Sequence, residues 1–353
     1  MSLPSPDQPF VSGSVKTAVN YVPQISTSLK WGDHWGTIKA RWGVGRMYYA
    51  VDPGLYALGN PDENSPVLAS ANYKMSFDRL RESLRDRDAW ILVLDTKGIN
   101  VWCAAGKGTF GTTELVKRII NSGISQIVSH KNIILPQLAG PGVAAHLVRK
   151  YSGFKVSYGP VRAHDLPAYL DAGCRATPEM RIQTFTLMER TVLIPVELVE
   201  ALKAAVFIIP IAFLLGGLGG PGGYWDNALN YGASTTAAIM SAILAGTILT
   251  PILLPFLPGR AFAIKGLWLG LLTALILVLI RRSDMTILPG QLESVAWFFL
   301  VTSITMYLAM NFTGASMYTS LSGVKKEMRW ALPVEICAGI AGIVLWLGSR
   351  FAA

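Results

Sequence analysis

Long apolar stretches dominate the second half of this 353-residue chain and constrain its fold most strongly. A helix needs about 20 mainly apolar residues to cross the hydrocarbon core of a bilayer. So many apolar stretches in one half of the chain leave too little polar surface for a soluble helix bundle. The sequence therefore predicts an all-α membrane domain over residues 199–353, with a kink at Pro251 and Pro255. Its five predicted transmembrane helices run approximately over Val199–Gly219, Ala233–Leu257, Phe262–Ile280, Val295–Phe312 and Leu332–Leu347.

Ionisable residues are few in these segments. Lys203, Glu293 and Glu335 all lie near predicted ends, where they are expected to reach water. Cys337 falls inside the fifth segment and is expected to be a small packing residue. An anchor or scaffold is therefore the favoured role for this domain, while a role in passing metal stays open.

Lysine and arginine favour one orientation of these segments. The N-terminus has no apolar core of the kind a signal peptide needs, so the first domain is expected in the cytoplasm. We therefore predict a multi-pass protein of the cytoplasmic membrane. Five basic residues then fall on the cytoplasmic side and three on the other: Arg260, Lys265, Lys325, Lys326 and Arg329 against Arg281, Arg282 and Arg350.

Charge and cysteine content narrow the possible functions. The net charge of +9 is scattered, without a dense basic run, so it suits anionic lipid and protein partners and argues against a nucleic-acid role. Three cysteines make no disulfide framework and suit a reducing compartment. They also lack the paired spacing of a zinc or iron–sulfur site, so any iron–sulfur chemistry must come from a partner.

Strands and helices alternate regularly from Ala89 onward. Trp90–Leu94, Asn132–Leu135 and Phe154–Tyr158 are short apolar runs of strand type, and Gln126–Val128 is a further apolar run. The pattern predicts an α/β domain with a largely parallel sheet, whose ligands lie at the carboxyl ends of the strands. We expect an N-terminal extension over residues 1–88, this domain over 89–190 and a linker over 191–198. Helical spacing is found over Thr112–Asn121, Val143–Tyr151 and Asp165–Ala172.

The loop after Leu94 carries the candidate chemistry, and three generic interpretations of it are weak. A P-loop would need glycine and a hydroxyl residue where Val101 and Gly108 stand. The letters Gly106-Lys-Gly-Thr-Phe-Gly111 match a dinucleotide fingerprint but lie a dozen residues beyond the strand. A cysteine nucleophile at Cys103 has no histidine at catalytic spacing, although a base that is distant in sequence stays open.

A short helix over residues 100–107 would place Asn100, Cys103, Ala104 and Lys107 on one face. Alanine is the smallest side chain that favours a helix, so this face would present a single thiol with little bulk around it. A flat, wide ligand could lie against such a face. A buried structural cysteine explains the same spacing, and the spacing alone favours it.

The segment Asn100-Val-Trp-Cys-Ala-Ala-Gly-Lys107 resembles the signature of the mercury-methylating corrinoid protein family (HgcA), and all eight positions match. The segments Pro136–Gly142 and Tyr151–Val161 resemble the corrinoid-binding domain of the large subunit of the corrinoid iron–sulfur protein. The five apolar segments also fit the mercury family. The resemblance covers most of the chain beyond Ala89 and implies a Rossmann-like corrinoid-binding domain.

The resemblance implies a cobalamin-type corrinoid that is held base-off, with the Cys103 thiolate as the lower axial ligand of cobalt. Domains that ligate cobalamin by histidine use an Asp-x-His-x-x-Gly motif, and none of the histidines here lies in one. The implied cofactor-binding residues are Thr96, Gly98, Asn100, Val101, Trp102, Cys103, Ala104, Ala105, Gly106, Lys107, Gln137, Gly140, Gly142, Tyr158, Gly159 and Pro160.

The resemblance also implies a reaction, namely transfer of a methyl group from the methylated Co(III) corrinoid to inorganic Hg(II), giving methylmercury. A thiolate ligand pushes electron density onto cobalt and favours departure of the methyl group with its electrons. The implied partners are a methyl donor system of the methyltetrahydrofolate type and a ferredoxin with two 4Fe–4S clusters as electron donor. Two alternatives stay open: a membrane-anchored corrinoid methyl carrier of one-carbon (acetyl-CoA pathway) metabolism with another acceptor, and a transporter with a regulatory α/β domain.

Overall fold

The structure is a computed structural model that describes residues 4–282, 285–314 and 321–352. The chain forms two compact units, and it passes from the first to the second between Thr184 and Phe185. The short segment Arg41–Gly43 groups with the second unit. The finer division into an extension, a domain and a linker stays a prediction.

The first unit is a seven-stranded mixed sheet flanked by helices. Its strands are β1 (Val11–Lys16), β2 (Tyr21–Ile25), β3 (Gly54–Leu58), β4 (Val67–Ala71), β5 (Ala89–Leu94), β6 (Asn132–Leu135) and β7 (Lys155–Tyr158). Its helices are α1 (Trp31–Arg41), α2 (Lys74–Ser83), α3 (Val101–Lys107), α4 (Thr112–Ser122), α5 (Ala145–Ser152) and α6 (Leu166–Asp171).

The strand order in the sheet is β1-β2-β3-β5-β4-β6-β7. Four of the six strand pairs are parallel, including β4 with β5, β4 with β6, and β6 with β7. The pairs β1–β2 and β3–β5 are antiparallel. The four strands β4 to β7 therefore point the same way, and their carboxyl ends meet at one edge.

Complete burial explains why these short segments form strands. All residues of β3, β4 and β5 are buried, as a sheet covered on both faces requires. The strands and helices predicted after Ala89 are confirmed with small shifts at their ends. Gln126–Val128 differs, because Ile124–Gln126 forms a 3-10 turn after Gly123 ends α4 with φ of 66°.

A buried ion cluster joins α1 to α2. Lys74 Nζ lies 2.6 Å from Asp33 Oδ1 and 2.7 Å from Asp78 Oδ2. The fully buried Arg81 bonds to Asp33 Oδ2 and to Asp78 Oδ1, both at 2.8 Å. Burial alone raises the pKa of Asp33, but the hydrogen bonds from Lys74 and Lys30 and the nearby cations outweigh it and lower this pKa to about 2.

The second unit is entirely helical over its described residues. Its helices are α7 (Leu187–Thr191), α8 (Ile194–Leu215), α9 (Tyr224–Asn227), α10 (Ala233–Leu244), α11 (Thr250–Leu253), α12 (Phe262–Arg281), α13 (Leu288–Asn311) and α14 (Leu321–Phe351). We call this unit the helical domain.

Five helical runs among the described residues are long and apolar enough to cross a membrane, as the sequence predicts. They span Leu187–Leu215, Tyr224–Leu253, Phe262–Arg281, Leu288–Asn311 and Gly323–Phe351. Large apolar side chains on them are exposed, with 74% of Phe207 and 72% of Ile280 accessible. Such a surface suits lipid and would be costly in water.

Three expectations about this domain are wrong. Glu293, expected to reach water, is 4% exposed and lies 3.5 Å from Arg281 and 3.4 Å from Arg350. Glu335 is only 5% exposed and lies well inside the run Gly323–Phe351, so it does not reach water at a helix end. Cys337 is exposed on the outside of the helical domain and does not pack between helices. The run Gly323–Phe351 begins nine residues before Leu332, where the fifth segment was expected to begin.

Candidate functional site

The candidate site lies at the shared carboxyl edge of β4 to β7. The loop after β5 leads into α3, and α3 contacts both β4 and the 3-10 helix Gln137–Gly142 that follows β6. The segment Gly159-Pro160 follows β7 directly. The structure thus brings the sequence-predicted residues together from three loops at one edge of the sheet.

Asn72, directly after β4, organises the loop after β5. Its Oδ1 accepts hydrogen bonds from the backbone nitrogens of Thr96 and Gly98, both at 3.0 Å. The Thr96 hydroxyl, which has one proton to donate, lies 2.8 Å from the same oxygen and 2.7 Å from the carbonyl of Ile99. Asn72 is 6% exposed and Thr96 is fully buried, so Thr96 shapes the loop from inside.

Sequence reasoning missed Asn72. Its signal was a single polar residue directly after the apolar run Val67–Ala71, at the strand end where ligand-binding loops begin. This strand lies before Ala89, where the regular alternation of strands and helices begins, so the strand and its end were not predicted.

A tight turn precedes the cysteine helix. Lys97 and Gly98 both adopt left-handed backbone conformations, with φ of 60° and 69°. This conformation is unfavourable for Lys97 by about 1–2 kcal/mol. Contacts with Asp95 hold Lys97 in it, because the Asp95 carboxylate accepts hydrogen bonds from the Lys97 backbone nitrogen at 3.1 Å and from the Lys97 ammonium at 2.9 Å. Burial opposes ionisation of Asp95, but these Lys97 contacts prevail and lower its pKa.

The helix α3 is short and closed at both ends. The Asn100 side chain caps it by accepting a hydrogen bond from the backbone nitrogen of Cys103 at 2.9 Å. Gly108 ends it with φ of 78°, and its nitrogen bonds back to Ala104 and Ala105. The cap fixes the backbone of Cys103 itself, so the position of the thiol depends directly on Asn100.

The faces of α3 differ from the expected arrangement. Ala104 is fully buried and Ala105 is 5% exposed, and both pack into the core of the sheet domain. Cys103 is partly buried, and Lys107 is exposed. Alanine therefore serves to seat the helix closely on the sheet. The prediction that Ala104 shares an open helix face with the Cys103 thiol is therefore wrong.

Gly142 shows how closely α3 is seated. A Cβ atom built there would lie 2.2 Å from the carbonyl oxygen of Phe110 and 3.0 Å from Cα of Ala105. By contrast, a Cβ at Gly140 would meet nothing nearer than the Tyr158 ring, at 4.0 Å. Gly142 thus permits close packing of the helix, whereas the edge beside Gly140 stays open.

The loops after β6 and β7 are tied together. The Tyr158 hydroxyl donates to the carbonyl of Val143 at 2.9 Å, and burial raises the pKa of this phenol. Arg181 donates to the carbonyl of Gly159 at 3.1 Å and also bonds to the side chain of Gln137. Arg181 is a second residue that sequence reasoning missed, because no periodic pattern marks the irregular segment that carries it.

The side chains at this edge suit a metal-containing cofactor that itself supplies most of the atoms coordinating its metal. Among the described residues, no group of three or more His, Cys, Asp or Glu side chains lies close enough to hold a metal ion. Cys103 therefore offers one thiol to a metal whose other positions must be filled by the ligand itself. The open space beside Gly140 and the partly exposed thiol fit a flat metal-bearing macrocycle in this respect.

Comparisons with known proteins match this part of the chain. Residues 45–169 match the family model described as CO dehydrogenase/acetyl-CoA synthase delta subunit. The chain is 36% identical over 128 residues to the acetyl-CoA decarbonylase/synthase complex subunit gamma of Methanothermobacter thermautotrophicus, covering 36% of this chain and 28% of the relative. It is 41% identical over 96 residues to the subunit gamma of Methanocaldococcus jannaschii, covering 27% of this chain and 20% of the relative.

These matches relate the sheet domain to subunits of that complex. The matched region runs from before β3 to α6 and therefore includes α3 and all three loops of the site. The chain spans less than a third of the length of these curated relatives, at 28% and 20%.

Proposed function

We propose that this protein binds a corrinoid at the carboxyl edge of the sheet, with the Cys103 thiolate as lower axial ligand, and carries a methyl group on it. One observation supports the proposal above the others. A partly exposed cysteine lies in the first turn of a capped helix that packs through alanine and glycine, at the carboxyl ends of parallel strands. When bound, the corrinoid supplies a cobalt centre that accepts and releases methyl groups.

The residues of this chain have distinct tasks in the proposal. Asn100 fixes the Cys103 backbone, and Asn72 fixes the turn before it. Gly142 lets α3 approach the sheet, and Arg181 holds the loops after β6 and β7 together. Ligands of a metal are positioned by such surrounding contacts, which decide how well the metal is held.

Binding of cobalamin tests the proposal. The full chain is purified in lipid nanodiscs and reconstituted with cobalamin, and its visible spectrum is compared with that of Cys103→Ala. Cys174→Ala is the matched control, because Cys174 is an exposed cysteine of the same domain. We expect an altered spectrum in Cys103→Ala alone. Identical spectra in all three proteins would refute the ligand assignment.

The relatives support an acceptor in one-carbon metabolism. Their names place them in the acetyl-CoA decarbonylase/synthase complex, and the family match over residues 45–169 includes α3 and the loops after β5, β6 and β7. On this basis we propose that the protein exchanges methyl groups with a methyltetrahydrofolate-type donor system and works with protein partners.

The motif favours Hg(II) as a second candidate acceptor. All eight residues of Asn100–Lys107 match the signature of the mercury-methylating family, and the cysteine of this motif is partly exposed. A thiolate opposite the methyl group favours its transfer, with its electrons, to an electrophile such as Hg(II). Under this second candidate function, the electron donor would be a ferredoxin with two 4Fe–4S clusters.

A single assay separates the two acceptors. The protein loaded with methylcobalamin is incubated with Hg(II) or with a tetrahydrofolate acceptor, and the labelled products are quantified. Methylmercury formation that is lost in Cys103→Ala and kept in Cys174→Ala would support Hg(II). Full mercury methylation by Cys103→Ala would overturn the thiolate mechanism, and transfer to the folate alone would support the carrier of one-carbon metabolism.

The five apolar helical runs support attachment of this chemistry to a membrane. We propose that they anchor the protein in the cytoplasmic membrane with the corrinoid domain in the cytoplasm. Protease accessibility of a tag at the N-terminus, in sealed inside-out and right-side-out vesicles, tests this orientation.

A further inference from the structure

A cavity of about 440 Å³ lies inside the helical domain, between α8, α10, α13 and α14. Its walls are mainly alanine, isoleucine and leucine side chains. Its polar lining consists of Glu197, Glu200, Ser303, Tyr307, Asn311 and Glu335.

Glu335 lines this cavity and has no partner in the part of the chain that the structure describes. The residue is 5% exposed, and both carboxylate oxygens are buried without a hydrogen bond. By the rise of an α-helix, Glu335 lies about 9 Å beyond Arg329, the last charged residue before the apolar part of the run Gly323–Phe351, and about 24 Å from Phe351. A charged carboxylate at such a depth is costly unless a cation or a hydrogen-bond donor accompanies it.

A polar stripe leads from one end of the helical domain to Glu335. Ser303, Tyr307 and Asn311 follow each other at intervals of four residues and so lie on one face of α13. Asn311 ends α13, and Glu197 and Glu200 lie in the first two turns of α8. The stripe therefore starts where α8 begins and extends about 12 Å inward along α13.

Ser303 and Glu335 lie at the inner end of the stripe. A Cβ atom at Gly339, one turn after Glu335 on α14, would lie 3.7 Å from Ser303 Oγ. This places the serine hydroxyl beside the α14 face that carries the carboxylate. Oxygen donors thus line the cavity from its entrance to its inner end.

We propose that the cavity binds an alkali-metal cation, of the sodium or potassium type, with Glu335 as its charged ligand. Among the described lining residues, Glu335 is the carboxylate whose two oxygens are both buried without a hydrogen bond, whereas Glu200 pairs with Lys203 at 2.7 Å. The described residues offer no cluster of three acidic, histidine or cysteine side chains that would hold a multivalent metal. A singly charged ion matches this single charge.

The lining also excludes a soft metal. The lining residues that the structure describes include no cysteine, methionine or histidine, and soft ions such as Hg(II) prefer thiolate and thioether ligands. The site is therefore separate from any passage of mercury, and its occupancy does not depend on the function proposed for Cys103.

Direct ion binding tests the proposal. The full chain in nanodiscs is equilibrated with radioactive sodium or rubidium, and bound ion is measured by scintillation proximity. We expect saturable binding of one ion per chain in the wild type and its loss in Glu335→Gln. Asp226→Asn is the matched control, because it removes an exposed carboxylate outside the cavity and should bind as the wild type does.

Two further variants keep the test decisive. Ser303→Ala leaves every charge in place and should weaken ion binding severalfold. This variant therefore tests the cation site even if Glu335→Gln does not fold. Cys103→Ala should bind the ion as the wild type does. Absence of saturable binding in the wild type, full binding in Glu335→Gln, unchanged affinity in Ser303→Ala, or displacement of sodium by equimolar Hg(II) would each overturn the proposal.

Discussion

Replacement of Asn72 by alanine should loosen the turn that positions Cys103. The change removes the acceptor for the backbone nitrogens of Thr96 and Gly98, in a part of the loop where Asn72 and Thr96 are both buried. A buried donor without a partner costs about 1–3 kcal/mol. If each of the two donors costs about 1.5 kcal/mol, the change costs about 3 kcal/mol. Since about 1.4 kcal/mol corresponds to a factor of ten, the turn should open about a hundredfold more often.

Amide hydrogen exchange measures this opening. Full-length protein in nanodiscs is labelled in deuterated buffer, and the exchange of peptides that cover residues 96–107 is compared between wild type and Asn72→Ala. The matched control is Asn64→Ala, which replaces an exposed asparagine whose side chain accepts a hydrogen bond from the Ser129 hydroxyl. An exchange rate in Asn72→Ala that stays within threefold of the control would refute the role assigned to Asn72.

Two further predictions concern close packing and acid stability. Gly142→Ala should displace α3 and lower cobalamin affinity at least tenfold, because its Cβ would lie 2.2 Å from a carbonyl oxygen. Gly140→Ala should change the affinity little, because its Cβ would meet nothing nearer than 4.0 Å. Equal affinities of the two variants in a titration followed by absorbance would contradict this prediction. Ion pairing at Asp33 should stabilise the sheet domain above pH 3.8, the ordinary pKa of an aspartate, and be lost as the pH falls towards its lowered pKa of about 2. The unfolding temperature of the wild type should therefore fall more steeply over this range than that of Asp33→Asn, and parallel pH profiles would count against the ion cluster.

Periodicity and short apolar runs predicted the elements that are buried on one side or on all sides. The apolar runs Trp90–Leu94 and Asn132–Leu135 are strands, and the spacing of Thr112–Asn121 is a helix. The apolar runs of the second half are helices, which satisfy their backbone hydrogen bonds within each segment, as a lipid environment would require. These elements were predictable because burial on one side, or on all sides, leaves a direct mark in the sequence.

Residues whose roles depend on contacts between distant segments could not be predicted. Nothing near Asn72 in the sequence shows that its amide bonds to a loop more than 20 positions later. Likewise, the spacing of residues 100–107 shows which side chains share a face, but only packing against Gly142 shows that the alanine face is turned inward. The depth of Glu335 depended on where α14 begins, and helix ends in apolar sequence are poorly marked.

Ligation of cobalt by sulfur is the central claim, and X-ray absorption at the cobalt edge tests it most directly. The full chain is loaded with cobalamin, and the nearest atoms around cobalt are determined for the wild type, Cys103→Ala and Cys174→Ala. We predict a sulfur neighbour in the wild type and in Cys174→Ala that is absent from Cys103→Ala. A first shell made only of nitrogen, oxygen and carbon in the wild type, or a sulfur neighbour that persists in Cys103→Ala, would contradict the account.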